Sequence, residues 1–243
     1  MKSENNSFPM GVRDGLPICL GYLSVSFAFG IFATGMGLSV FEALLISMFN
    51  VTSAGQLAAT PIIAAGGSFI EVAMTQLVIN LRYSLMSVSL SQRLAESIRV
   101  KDRFLIAFVN TDEVFAVASS KGTLLGRKYM FGLILMPYIG WSIGTLVGAA
   151  AGKILPLVIV SALSIAIYAM FVAIVVPEAK KNRKTAFLSL TAIALSCLFN
   201  FAPVLKNIPS GFIIIICSVA VSALFAVFAP IDDGEFMEGE ENV

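Results

Sequence analysis

The sequence predicts an all-α fold, a polytopic membrane helix bundle with about seven to eight apolar runs, some of them discontinuous or re-entrant. Three observations lead there. Hydrophobic residues make up 58% of the 243 and charged ones only 13%. The mean hydropathy of +0.90 is far above that of an ordinary water-soluble domain. The apolar residues gather into runs at about 15–38, 41–65, 69–91, 104–120, 129–152, 154–177, 185–203 and 209–229. All but the fourth approach or exceed the roughly 17 to 25 residues of a spanning helix. The connections are too short to bury a core of their own, so residues 1–231 read as a single transmembrane domain and a soluble catalytic domain is excluded. Residues 232–243 carry six acids and no base and read as an acidic, disordered tail.

The first run outlasts a signal-peptide core and has no convincing cleavage site, so it is expected to be retained as a helix. If all eight runs cross, the Lys and Arg of the connections divide nine against six; if the fourth enters and leaves on one face, they divide eleven against four. The sharper split favours about seven crossings, with the N-terminus outside and the acidic tail inside. In the fifth run Gly140, Gly144 and Gly148 recur every four residues, a small-residue stripe that favours close packing within the chain. Pro137, Pro156 and Pro177 are expected to kink or end helices. Cys19, Cys197 and Cys217 lie far apart in apolar runs and read as small hydrophobes. With no histidine in the chain, imidazole catalysis and most zinc sites are excluded, and no metal or cofactor is expected.

Two apolar runs carry helix-start signatures near their centres, where a continuous membrane helix has no use for one. Ser53-Ala-Gly-Gln56 fits the capping box, with Ser53 as N-cap. Asn110-Thr-Asp-Glu113 places Asn110 as N-cap and Glu113 three residues on. Both predict half-helices whose free N–H groups and positive dipole ends attract a carboxylate. Gly55 permits close approach of ligand or backbone, and Gln56 either completes its cap or touches substrate.

In the third run Asn80, Ser84, Ser87 and Ser91 line one helical face, with Arg82 nearly opposite. An arginine at that depth costs roughly 2.5–3.5 kcal/mol on insertion scales and needs a polar partner. The segment is therefore expected to be buried all round or unwound near Asn80, and Arg82 to pair with Asp112 or Glu113 of the fourth run. That pair is either structural or in contact with substrate. The second acid is left to hold an ammonium group or a proton. Helix ends that seek an anion, a buried cation and two acids together suit a small zwitterion. Phe27, Phe29, Phe115 and Phe171 are candidates for the wall of an apolar pocket.

On these residues the chain resembles the AzlC family of branched-chain amino acid permeases, the LIV exporter family. The resemblance rests on DGLPICLGYLSVSFAFG near the start, SAGQ at 53–56, INLRYSLMS at 79–87, TDEVFA at 111–116 and SIAIYAMFVAIVVPE further on. The sequence departs from many relatives at Tyr83, where they carry histidine, and at Ser164 and Ile165, where they carry an acid followed by phenylalanine. The resemblance implies a cell-membrane secondary transporter, not an enzyme, that exports leucine, isoleucine, valine or analogues such as azaleucine. It also implies a small AzlD-like membrane subunit, and a pathway lined by Ser53, Gly55, Gln56, Asn80, Arg82, Thr111, Asp112 and Glu113. The competing readings are a non-transporting assembly or sensor subunit held by the Arg82 pair, and an intramembrane enzyme using Asp112 or Glu113, which the lack of histidine and of a matching second aspartate weakens.

Overall fold

The computed structural model describes residues 4–152, 154–156, 158, 172, 175–177, 179–180, 182–202 and 208–228. Phe171, Ser164, Ile165 and the acidic tail lie outside the described residues, as does most of the sixth run. Nine helices and two short strands follow one another through the described part.

Strand β1 (Glu4–Asn5) pairs in parallel with β2 (Leu124–Leu125), and these two-residue strands are the whole of the sheet among the described residues. Helix α1 (Phe8–Gly35) has 28 residues and a proline in its first turn, where the ring's fixed φ suits a helix start. At 1.5 Å per residue it is about 42 Å long, more than the bilayer's hydrocarbon core. It ends in a turn closed by Gly37 at φ +94°. A full capping box of Ser39 and Glu42 then starts α2 (Val40–Phe49).

The second apolar run is broken. After α2 the chain leaves helical geometry for three residues and resumes as α3 (Ser53–Ala64). The fourth run breaks the same way, into α5 (Val100–Phe108) and α6 (Asp112–Ser119). Between these pairs lies α4 (Phe69–Ser91), continuous over 23 residues. The expectation that this segment unwinds near Asn80 or is buried all round is not met, for α4 stays helical and the Arg82 side chain remains 56% exposed. Helix α7 (Arg127–Ala151) holds Pro137 in its interior. Two later helices, α8 (Arg183–Phe201) and α9 (Ser210–Phe228), complete the described chain.

Four described helices are long and apolar enough to cross a membrane: α1, α7, α8 and α9. About seven crossings are expected, and the sixth run lies mostly outside the described residues. Among the described residues the remaining difference has a physical origin in polar insertions: the breaks shorten the second and fourth runs, while Glu71, Gln76, Asn80 and Arg82 dilute α4, which has the length to span. The apolar composition, these spans and the helix content make the chain an all-α, multi-pass membrane protein.

The chain forms two compact units, Met1–Gly66 with Ile79–Tyr168, and Gly67–Val78 with Ala169–Val243. In the first, α1 and α7 pack through glycines on both sides. A Cβ on Gly148 would stand 2.0 Å from the Phe27 carbonyl oxygen, one on Gly140 2.5 Å from that of Cys19, and one on Gly30 2.3 Å from that of Thr145. The glycine stripe thus does what its spacing predicts within one chain. Around this seam Tyr22, Leu90, Ile106, Tyr129, Leu133 and Trp141 form the main apolar core. Beside it, buried Asp102 of α5 accepts from Arg127 at 2.8 Å and from Arg99 at 3.3 Å. Burial works to raise the Asp102 pKa, but the hydrogen bonds and charges of Arg127 and Arg99 together outweigh it and hold the carboxyl below its usual value.

In the second unit the Glu71 carboxylate, 5% exposed, accepts the Gly211 backbone N–H at 2.9 Å. It thereby satisfies an amide at the start of α9 that has no partner within the helix. Cys19 and Cys217 are buried and Cys197 is exposed, all as free thiols.

Candidate functional site

The site is built from the two helix breaks and the middle of α4. At the first break the N-cap is Thr52, not Ser53: the Thr52 hydroxyl accepts the Gly55 N–H at 3.0 Å. At the second it is Thr111, not Asn110, whose hydroxyl accepts the Val114 N–H at 3.4 Å. The two one-residue corrections share a cause. A cap residue must hold extended backbone, which the β-branched threonine favours, and Thr52 and Thr111 have ψ of 125° and 172°. With Thr52 at the cap, the third helical position is Gly55, so Gln56 cannot close a capping box.

Gln56 is instead 1% exposed, its Oε1 accepting from Ser47, which also shares a 2.6 Å hydrogen bond with Thr145 of α7. Gln56 therefore ties α3 to α2 and, through Ser47, to α7, while its buried Nε2 has no hydrogen-bond partner. Gly55 is buried at the cap. The side chain of Ser53 is half-buried and takes no part in capping.

Both breaks are tied to α4. Thr52 donates to Asn80 Oδ1 at 3.1 Å, and Asn110 Nδ2 donates to Ser87 Oγ at 3.2 Å. Two members of the polar stripe thus serve neighbouring elements. Ser91 bonds the Val88 carbonyl of its own helix, and Ser84 is exposed.

A pocket of about 160 Å³ lies where these parts meet, room for about five waters at ~30 Å³ each. Its polar lining is Asn50, Thr52, Asn80 and Asn110, with Tyr83 beside them; Phe49, Val51, Ala107 and Phe108 supply the apolar wall. No charged residue lines it. The phenylalanines named from sequence lie elsewhere: Phe29 is 1% exposed in a smaller core cluster, Phe115 packs on the main core, and the Phe27 backbone abuts Gly148. A helix that is apolar on every side gives its sequence no periodicity from which to assign a face.

The ionic groups form a second layer. Arg82 pairs with Asp112 at 2.7 Å, both side chains about half exposed, and also donates to the Tyr83 hydroxyl at 3.1 Å. Its guanidinium carbon lies 4.9 Å from the centre of the Tyr83 ring, close enough for a cation–π contact. Glu113 points elsewhere, as expected of adjacent helical residues about 100° apart, and accepts a hydrogen bond from Tyr22 of α1. Tyr22 in turn meets Trp141 edge to face, with centroids 4.9 Å apart. The sequence therefore brings Asn80, Arg82, Thr111 and Asp112 around the pocket and its rim, while Tyr22, Thr52 and Tyr83 are partners it did not disclose. A tyrosine in an apolar run carries no mark that separates a hydrogen-bonding role from packing. Among the described residues no three His, Cys, Asp or Glu gather to hold a metal ion.

The comparisons with known proteins agree with this architecture. Inner membrane protein YgaZ of Escherichia coli (strain K12) is 34% identical over 151 residues, 60% of this chain and 62% of YgaZ. The chain thus aligns with less than two thirds of that relative. A protein of Archaeoglobus fulgidus known as an uncharacterized membrane protein is 31% identical over 196 residues, covering 80% of this chain and 86% of its own. Another so named, from Helicobacter pylori (strain J99), is 28% identical over 207 residues, 83% of this chain and 87% of its own. No solved structure matches the chain. The AzlC protein family matches residues 17–155, more than half of the sequence and all of the pocket, and the chain belongs to that family of transport-related, multi-pass membrane proteins.

Proposed function

We propose that the chain is a secondary transporter that exports branched-chain amino acids, or analogues of similar shape, across the cell membrane. The observation that carries this reading is the pocket between two threonine-capped helix breaks, small, neutral and half apolar. Discontinuous helices of this kind present backbone N–H donors to the anionic end of a solute and backbone carbonyls to its cationic end, and Phe49, Val51 and Phe108 offer an apolar wall for a branched side chain. The lining offers amides and two hydroxyls, those of Thr52 and Tyr83, groups suited to holding a solute and letting it go.

Coupling to protons is assigned to Asp112 and Glu113, one held by Arg82 and the other by Tyr22. Exchange of these partners as the acids gain and lose protons would link the gradient to the site. A small AzlD-like membrane subunit completes the proposed transporter.

The test is efflux of labelled leucine from preloaded proteoliposomes, with and without a candidate small subunit, comparing wild type with Asp112→Asn. Saturable efflux that the substitution abolishes is the expected result. No efflux in the presence of the subunit, over a panel of neutral amino acids, would refute the substrate class.

A further inference from the structure

The two breaks that frame the pocket differ in charge. The first turn of α3 contains no acid, whereas that of α6 holds Asp112 and Glu113. At α3, with the Gly55 N–H taken by Thr52, the amides of Ser53 and Ala54 have no acceptor within the helix. That end favours an anion. At α6 Asp112 is paired with Arg82 and Glu113 adds one net negative charge that offsets the helix dipole, so an anion there meets like charge while a cation is welcomed.

An independent observation marks the α6 end. Asn110 lines the pocket and is 3% exposed, its Nδ2 is fixed on Ser87, and its Oδ1 is buried without a hydrogen-bond partner. A buried amide oxygen without a hydrogen-bond partner is unfavourable, so Oδ1 is ready for a donor. The Ser87 contact holds the amide at this wall of the pocket. Asn80 and Ser87, the α4 anchors of the two breaks, are seven residues apart, about 10 Å along the helix axis. A hydrogen bond at each end leaves room between them for the head of one small zwitterion.

We propose that Asn110 is the residue that reads the ammonium group of the transported solute, through Oδ1, and that the solute lies with its carboxylate toward the N-terminus of α3 and its ammonium toward α6. This rests on the amino-acid reading above and adds an orientation and a specificity residue to it. Arg82, already neutralised by Asp112, is then not the carboxylate's partner. A solute lacking the amine would leave Oδ1 unsatisfied and be rejected.

The experiment titrates purified full-length protein with three ligands of one shape: leucine, 3-methylbutylamine, which lacks the carboxylate, and 4-methylpentanoate, which lacks the amine. Asn110→Leu is expected to weaken leucine and 3-methylbutylamine by roughly 10- to 100-fold, the range of a hydrogen bond to a charged group, and not to weaken 4-methylpentanoate, which the wild type binds poorly. Asn110→Asp, which keeps the oxygen, retains the preference for the amine and guards against loss through misfolding. Unchanged leucine affinity in Asn110→Leu, or equal loss of all three ligands in both variants, overturns the role of Asn110 while leaving the transporter reading intact. A wild type that binds none of the three, nor any other neutral amino acid, overturns both.

Discussion

Gly148→Ala adds a single methyl group, and the structure gives its cost. The new Cβ would lie 2.0 Å from the Phe27 carbonyl oxygen and 2.7 Å from the Phe27 carbonyl carbon. Ordinary contact begins near 3.4 Å, so α1 and α7 must part by about 1.4 Å at this level. The obstacle is backbone, which no rotamer change relieves. Overpacking of this kind costs about 1–3 kcal/mol. The displaced segment of α1 lies little more than a turn beyond Tyr22, whose hydroxyl holds Glu113, and that bond lengthens past useful range with the shift. Gly21→Ala, in the same helix with nothing within 4 Å of the new Cβ, is the matched control, expected to stabilise by ~0.5–1 kcal/mol through propensity alone. Thermal unfolding of the purified variants in one detergent should show Gly148→Ala melting several degrees below wild type and Gly21→Ala at or above it. If Gly148→Ala melts with wild type, the close approach of α1 and α7 is wrong, and with it the placement of Tyr22.

Three further outcomes follow from the geometry. Thr52→Val and Thr111→Val each remove an N-cap and are expected to cost about 0.5–2 kcal/mol, while Ser53→Ala changes stability by a few tenths; chemical or thermal melts of the three variants separate a threonine cap from a serine one. Arg82→Asp combined with Asp112→Arg restores a half-exposed pair worth only ~0.2–1 kcal/mol, so stability should return while efflux stays lost if Asp112 carries a proton, and recovered efflux would make the pair purely structural. Because the Asp102 carboxyl is held below its usual value in the fold, its contribution to stability is complete above about pH 4 and is lost as pH falls through the lowered pKa. Melting curves of wild type should therefore decline on acidification with a component that Asp102→Asn abolishes.

The broad architecture was legible because a bilayer is a demanding solvent. The runs at 15–38 and 129–152 became α1 and α7, and the cost of Arg82 correctly pointed to an acid on the fourth run, where Asp112 receives it. The breaks were legible too, since polar residues with capping chemistry have no other use in the middle of an apolar run. Their register was not. Thr52 stands beside Ser53 and Thr111 beside Asn110, and all four side chains can cap; the choice fell to the backbone preference of threonine and to the hydrogen bond that draws Asn110 to Ser87. The apolar wall was illegible for a different reason, since Phe27 and Phe108 look alike in sequence and only the path of the chain tells which one meets the pocket. The Tyr22 contact with Glu113 spans 91 positions and depends on how α1 settles against α7.

The paired breaks also bear on speed. Each sets the end of one helix, with its free carbonyls, beside the start of another, with its free amides, so the gap offers acceptors and donors in nearly equal number. Such a gap wets easily, and water and a small polar solute can replace one another there with little net change in hydrogen bonding. Exchange of that kind meets a low barrier in both directions. In the proposed transporter this evenness would limit how tightly the cargo is held and favour a high turnover.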